Sequence, residues 1–204
     1  MKKWEKLAPS QIIKKTIDAL KQNGIDAFVV DTGQKVRKEI LTRIPEGAEV
    51  MTMTSATLDA IGVPDEINES GKYNSIRKKL MSMDRATQGH RINKLGAAPE
   101  YTIGSVHAVT EDGKVLVASN TGSQLSAYVH SSAHVIWVVG TQKIVKNLDE
   151  GIKRIYNHTL LLENKRVQKA YGMPESFVSK LLIVNRENIP GRIILIFVKE
   201  KLGF

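Results

Sequence analysis

No cysteine occurs anywhere in the 204 residues. That absence removes disulfides, thiolate nucleophiles, zinc–thiolate sites and cysteine-held iron–sulfur clusters, and it suits a reducing compartment. Aromatic residues are scarce, at 5%, which is low for a surface that stacks bases. Apolar stretches such as Leu181–Val184 and Ile193–Val198 fall far short of the roughly 20 residues needed to span a bilayer. Acidic side chains are outnumbered, 21 Asp and Glu against 30 Lys and Arg, for a formal net charge of +9. Such an excess concentrates anions: phosphorylated metabolites, carboxylates and nucleic acid. The scarcity of aromatics disfavours the last of these. The chain opens Met1-Lys2-Lys3, but Trp4-Glu5-Lys6 follows where a signal peptide needs an apolar run. A cytoplasmic protein without a membrane segment is expected.

What is present is enough for a core. The apolar fraction is 42%, near the globular norm, and the length suits one domain over 1–204. Ile12, Ile13, Ile17 and Leu20 recur at helical spacing between a capping Ser10 and the stop Asn23-Gly24. A strand over Ala27–Val30 follows, then a helix with Val36, Ile40, Leu41 and Ile44 on one face, ending before Pro45. Glu49–Met53 reads as a strand and Ser55–Ile61 as a short helix closed by Gly62. Strand and helix in alternation predict an α/β fold, a mainly parallel sheet flanked by helices.

Residues 63–100 read as a helical excursion bearing Arg77, Lys78, Lys79, Arg85, His90, Arg91 and Lys94. That cationic face is either merely solvated or a dock for an acidic partner. Tyr101–Thr110 and Val115–Ala118 flank Glu111-Asp112-Gly113-Lys114, a hairpin signal. A helix is expected over Ser123–Ser131, and Val135–Val139 is the clearest buried strand. Asn147 with Glu150 fits a capping box, opening a helix through Ile155, and a separate helix carries Val167 to Tyr171. Leu181–Val184 and Ile193–Val198 read as a terminal hairpin.

Ligands of open α/β sheets gather beyond the carboxyl ends of the strands. Three loops suit that position. In Thr52–Thr57, Thr54 and Ser55 either coordinate an anion or serve the helix, Ser55 as its cap. In Ser119–Gln124, the backbone around Asn120, Gly122 and Ser123 can approach an anion closely, as can that of an ordinary turn. In Gly140–Lys143, Lys143 either offsets an acidic ligand or faces solvent. None is a Walker loop or a Gly-x-Gly-x-x-Gly fingerprint. Gly104–Ala108 adds Ser105 and His107, which share a face if the segment is a strand. His107 is then a candidate proton carrier or a structural histidine, with no orienting acid assignable. His90, His130, His134 and His158 lack metal-ligand spacing, so no metal and no cofactor is expected.

Taken together and in order, several blocks resemble the LUD-domain family. They are Thr52–Gly62, Gly104–Thr110, Ser119–Gln124, Val138–Val145, Asp149–Arg154 and Lys180–Glu187, with Gly191-Arg192 and Leu202-Gly203-Phe204 closing the chain. The resemblance implies a fold like that of the ribose-5-phosphate isomerase, glucosamine-6-phosphate deaminase and CoA-transferase group. It also implies a place in lactate or organic-acid utilisation. The partners it suggests are a small anionic metabolite, other lactate-utilisation proteins and a second copy of the chain. The iron–sulfur role of larger relatives does not carry over to a chain without cysteine, and no glutamate can be assigned as a CoA-transferase nucleophile. Whether the chain is an enzyme is left open.

Overall fold

The computed structural model describes residues 2–204. Helix α1 (Ser10–Gln22) leads to strand β1 (Asp26–Val30), helix α2 (Gly33–Arg43), strand β2 (Glu49–Thr52) and helices α3 (Ala56–Ala60) and α4 (Val63–Glu69). Strand β3 (Asn74–Ser75), helices α5 (Ile76–Met81) and α6 (Arg85–Ala97), and strands β4 (Tyr101–Gly104), β5 (Ala108–Thr110) and β6 (Val115–Ser119) follow. The chain then forms β7 (His134–Gly140), β8 (Ile144–Val145), α7 (Leu148–Arg154), α8 (Leu160–Tyr171), β9 (Lys180–Val184) and β10 (Ile193–Val198).

Two sheets result. The larger runs β1-β10-β7-β4-β2-β3, parallel throughout, and the smaller runs β8-β5-β6-β9. Side chains alternate across β10, so Leu195 and Phe197 face one core with Trp137, Val139, Leu20 and Val117, while Ile196 and Val198 face another with Val36, Ile40 and Leu58. Strands covered on both faces are apolar without interruption, and this is why the runs at β7 and β10 lie at the centre. A further cluster (Ala108, Leu116, Val145, Ile155) seats α7 on the outer face of the smaller sheet.

Several expectations are corrected here. The two last strands do not form a terminal hairpin: β9 pairs antiparallel with β6 in the smaller sheet, and β10 is inserted between β1 and β7 in the larger. The burial shows the cause, since Lys180 and Leu181 of β9 are exposed whereas β10 is almost wholly enclosed. Ser10 does not cap α1; Pro9 holds that position, with no side-chain cap. The segment 63–100 is more than a surface excursion, because β3 extends the sheet and Val63, Ile67, Ile76 and Ile92 are buried. Tyr101–Thr110 is no continuous strand, for β4 ends at Gly104 and the chain crosses to the smaller sheet before β5. The two helices expected after Asn147 are one helical path, α7 running through a wide π turn at Ile155–Thr159 into α8. Other expectations hold: Asn147 Oδ1 accepts from the Glu150 N–H at 3.0 Å, and the β5–β6 hairpin turns at Gly113 with φ +82°.

Because β10 is central, Ile196→Ala and Phe197→Ala should each lower stability by about 2–5 kcal/mol in urea unfolding. Leu181→Ala, on the half-covered β9, should cost under about 1 kcal/mol; equal losses at all three positions would contradict the topology.

Candidate functional site

The crossing between the sheets, Ser105-Val106-His107, is where polar groups collect. Gly104 makes the crossing possible. A Cβ there would lie 1.7 Å from the Tyr128 hydroxyl oxygen, so only glycine lets the ring pack across the strand end. The Tyr128 hydroxyl donates to the Ser105 carbonyl at 3.4 Å, and its ring meets Trp137 edge-on at 5.5 Å. Thr52 pairs with Ile103, and the Met53 N–H continues that ladder to the Ile103 carbonyl. Thr54 and Ser105 therefore leave neighbouring strand ends.

Next to β4, β7 ends in a 3₁₀ turn, Thr141–Lys143, whose three side chains are all buried. Lys143 is 2% exposed, and its Nζ lies 3.0 Å from Thr57 Oγ1, 3.1 Å from Ser105 Oγ and 3.1 Å from the Val106 carbonyl. No carboxylate pairs with it among the described residues. Burial without a counter-charge, with the Arg154 cation nearby, holds the amine well below the ordinary lysine range.

Arg154 ends α7 where the π turn begins. It is fully buried and donates from Nη1 to the His107 carbonyl at 2.6 Å and to Thr159 Oγ1 at 2.9 Å. Its Nε and Nη2 have no protein acceptor, and desolvation lowers its guanidinium to about 10. The π turn also brings His158 and Thr159 to the buried side, an arrangement common where a helix carries function. Part of residue His107 reaches the surface, yet its imidazole is enclosed. Nδ1 accepts the Ala118 N–H at 3.1 Å, which leaves the proton on Nε2. Desolvation, reinforced by Lys143 and Arg154, pushes this ring down to about 3.

Beyond β2, the Ser55 hydroxyl accepts from the Leu58 N–H at 3.4 Å and so caps α3. Thr54 is exposed and takes a 3.1 Å hydrogen bond from Arg77 Nη2. Arg77 does not point out with its neighbours: it turns inward, clasping the Thr52 carbonyl through Nε (3.0 Å) and Nη2 (2.7 Å). Lys78 pairs with Glu69, so Arg77, Lys78 and Lys79 are not one cationic patch.

Of the residues singled out in the sequence, Lys143 touches Ser105 directly, Thr54 and Ser55 lie just before the helix α3 that carries its other partner Thr57, and His107 is two residues on from Ser105. The Ser119–Gln124 loop is held elsewhere. Asn120 Oδ1 accepts from Ser179 Oγ at 3.0 Å, Gly122 (φ +86°) lies against the Lys180 side chain, and Ser123 bonds within its own turn. No hydrogen bond among the described residues ties that loop to Lys143.

Residues 13–198 match the model of the LUD domain. The chain belongs to the LUD-domain family. The solved DUF162 family protein from Deinococcus radiodurans has the same fold, at a TM-score of 0.58 and 13% identity over 95% of this chain and 99% of that one. Two further neighbours score lower. The eIF2B β subunit from Chaetomium thermophilum has a TM-score of 0.37 and 12% identity, over 57% of this chain and 44% of its own. The ribose 5-phosphate isomerase from Plasmodium falciparum has a TM-score of 0.35 and 12% identity, over 78% and 80%. Among curated proteins, none matches.

Three further residues of this candidate site, Thr57, Arg77 and Arg154, carry little signal in the sequence. Thr57 is one of several hydroxyl residues in Thr52–Thr57, and Arg77 reads as part of the cationic face of residues 63–100. Arg154 left one faint signal: it lies three residues after Gly151, whose missing side chain lets α7 press on Leu116, where a Cβ would come within 2.9 Å. Residues at that spacing share a helix face, so Arg154 points inward too. Among the described residues no cluster of three or more His, Asp or Glu could hold a metal, and no helix is long and apolar enough to cross a membrane.

The depressed groups fix a pH dependence. His107 and Lys143 bind protons more readily in the unfolded chain, so stability is present at high pH and is lost as pH falls. For His107 the window runs from about 6.5 down to about 3, at up to about 1.4 kcal/mol per pH unit. His107→Asn, which keeps an acceptor for the Ala118 N–H, should flatten that slope in denaturant titrations between pH 7 and 4. An unchanged slope would place the histidine in water.

Proposed function

We propose that this LUD-domain protein binds a small anionic metabolite, an organic acid or a sugar phosphate, beyond the ends of β2 and β4. The observation that carries this reading is a gathering of cations that form no ion pair among the described residues, Asp59 being an acidic group whose field reaches Arg77. Arg77 reaches Thr54 there, while Lys143 and Arg154 are buried nearby with no carboxylate partner among the described residues. Buried positive charge is costly unless something of opposite sign compensates it, and an anionic ligand does so. Arg77, whose Nε and Nη2 hold the Thr52 carbonyl, supplies positive charge and its Nη1 donors to a carboxylate or phosphate, with hydroxyls from Thr54, Ser55 and Ser105 completing the site. Lys143 stands behind Ser105, and a nearby negative ligand would draw its amine back toward the charged form. His107, neutral and with a free Nε2–H, can donate to such a ligand, and its low basicity makes it a poor proton acceptor until the ligand is bound. The family's association with lactate utilisation agrees with an organic acid as ligand.

Thermal unfolding with lactate, pyruvate, inorganic phosphate and ribose 5-phosphate tests the reading. A true ligand at 100 times its Kd adds about 2.7 kcal/mol, or roughly 5–10 °C for a chain of this size. Arg77→Ala should remove more than half of that shift once its own change in the unliganded Tm is subtracted. A panel that leaves the wild-type Tm in place, or a shift that Arg77→Ala preserves, would overturn the proposal.

A further inference from the structure

Lys143 is more than a buried cation, because its three neighbours differ in what they can do for a neutral amine. A neutral amine has two N–H donors and one lone pair. The Val106 carbonyl, 3.1 Å away, can only accept. Thr57 Oγ1, 3.0 Å away, sends its own proton to the Leu202 carbonyl at 3.3 Å and therefore also accepts. Both N–H groups are then used. The remaining contact, 3.1 Å long, is to Ser105 Oγ, which accepts from the amine while its own hydroxyl makes only a long 3.5 Å bond to the Val106 carbonyl. Once the amine is neutral and both its N–H groups are used, rotation of that hydroxyl gives its proton to the lone pair. Ser105 is only partly buried, so its oxygen can meet a ligand, whereas Lys143 sits behind it at 2% exposure. A hydroxyl bonded to a base that is itself oriented by a further group is the geometry of an activated nucleophile.

From this arrangement we infer that Ser105 and Lys143 form a serine–lysine dyad that transfers acyl groups from carboxylic esters. Ser105 Oγ attacks the ester carbonyl carbon, forming a C–O bond while its proton passes to Lys143 Nζ. The tetrahedral intermediate collapses, the bond to the leaving alkoxide breaks, and Lys143 returns the proton to make the alcohol. Water then attacks the acyl-serine, giving a proton to Lys143. The acid departs, and the proton moves from Lys143 to Ser105 Oγ, restoring the pair. Thr57 is a positioning residue, since it fixes which lobe of the amine faces Ser105. The Tyr128 hydroxyl, bonded to the Ser105 carbonyl, steadies the backbone of the nucleophile. Among the described residues no carboxylate pairs with Lys143, which favours the neutral amine, as the mechanism needs, and the direction of its pKa shift agrees.

The dyad goes beyond the anion site, sharing Ser105 with it, and its test uses probes that carry no charge. Full-length protein is treated with diisopropyl fluorophosphate and, separately, p-nitrophenyl acetate, then followed by intact mass and peptide mapping. The expected result is one adduct per chain on Ser105, absent in Ser105→Ala, with a labelling rate that rises through a single ionisation below the ordinary lysine range. Lys143→Met should lower that rate at least 100-fold. Should that variant fail to fold, Thr57→Val carries the test by slowing labelling roughly tenfold and moving the midpoint of the pH profile. No adduct on folded wild-type protein, an adduct that persists in Ser105→Ala, or a pH profile untouched by Thr57→Val would overturn the dyad. Anion-induced stabilisation without labelling would sink the dyad alone; labelling without it would sink only the anion reading.

Discussion

A lysine side chain enclosed between two sheets, with hydroxyls and a carbonyl around it and no carboxylate, is the constraint on which this structure turns. Burying an uncompensated charge costs far more than a surface ion pair returns, so the surroundings must either neutralise the amine or receive an anion. Much of the local architecture serves that enclosure. The 3₁₀ turn after β7 aims Lys143 inward, and Gln142 beside it donates to the Leu202 carbonyl at 2.9 Å. The C-terminal residues close over the amine from the other side: Gly203, at φ +62°, approaches Thr57 so tightly that a Cβ would come within 2.3 Å of Thr57 Oγ1. Gly104 gives way to Tyr128 on the flank. Glycine at these places lets backbone and side chains reach the amine without strain.

The rigid sheet and the polar crossing divide the work. Strands β7 and β10 are packed on both faces and hold the ends of β2 and β4 at fixed separation. The crossing segment between β4 and β5 can then present one hydroxyl and two carbonyls to two cations, Lys143 from the turn after β7 and Arg154 from the end of α7. Arg154 arrives because the helix widens into a π turn just after it, and Lys143 because a strand ends in a tight turn rather than a long loop. The polar groups gather in connections of low regularity carried by a regular frame.

How much of this was legible beforehand depends on the kind of signal. Amphipathic spacing located α1, α2 and the helix after Asn147, and unbroken apolar runs located β7 and β10, because burial of a stripe or of both faces leaves a periodic trace. Pairing left none. The β9 and β10 segments look alike as runs, and only their partners, Val117 and its neighbours for β9, Phe28 and Trp137 for the β10 flanks, separate them into different sheets. Among site residues, Thr54, Ser55, Ser105, His107 and Lys143 were legible as strand-end polar groups. The inward turn of Arg77 was not, since an arginine followed by two lysines looks like a solvated face until the Thr52 carbonyl is seen beneath it. The loop at Asn120–Ser123 had the composition of a ligand loop but is tied to Ser179 and Lys180, a contact of 59 and 60 residues in separation that local sequence cannot encode.

The protonation state of Lys143 decides between the enclosure described here and an ordinary surface amine. Carbon-13 NMR of the lysine ε-methylene groups, with Lys143 assigned by comparison to Lys143→Met or, if that variant does not fold, through backbone-linked correlations, reads it directly. The account predicts that the Lys143 ε-carbon shift titrates well below the ordinary lysine range in the free protein. A Lys143 resonance that stays fully charged through pH 10 would contradict it.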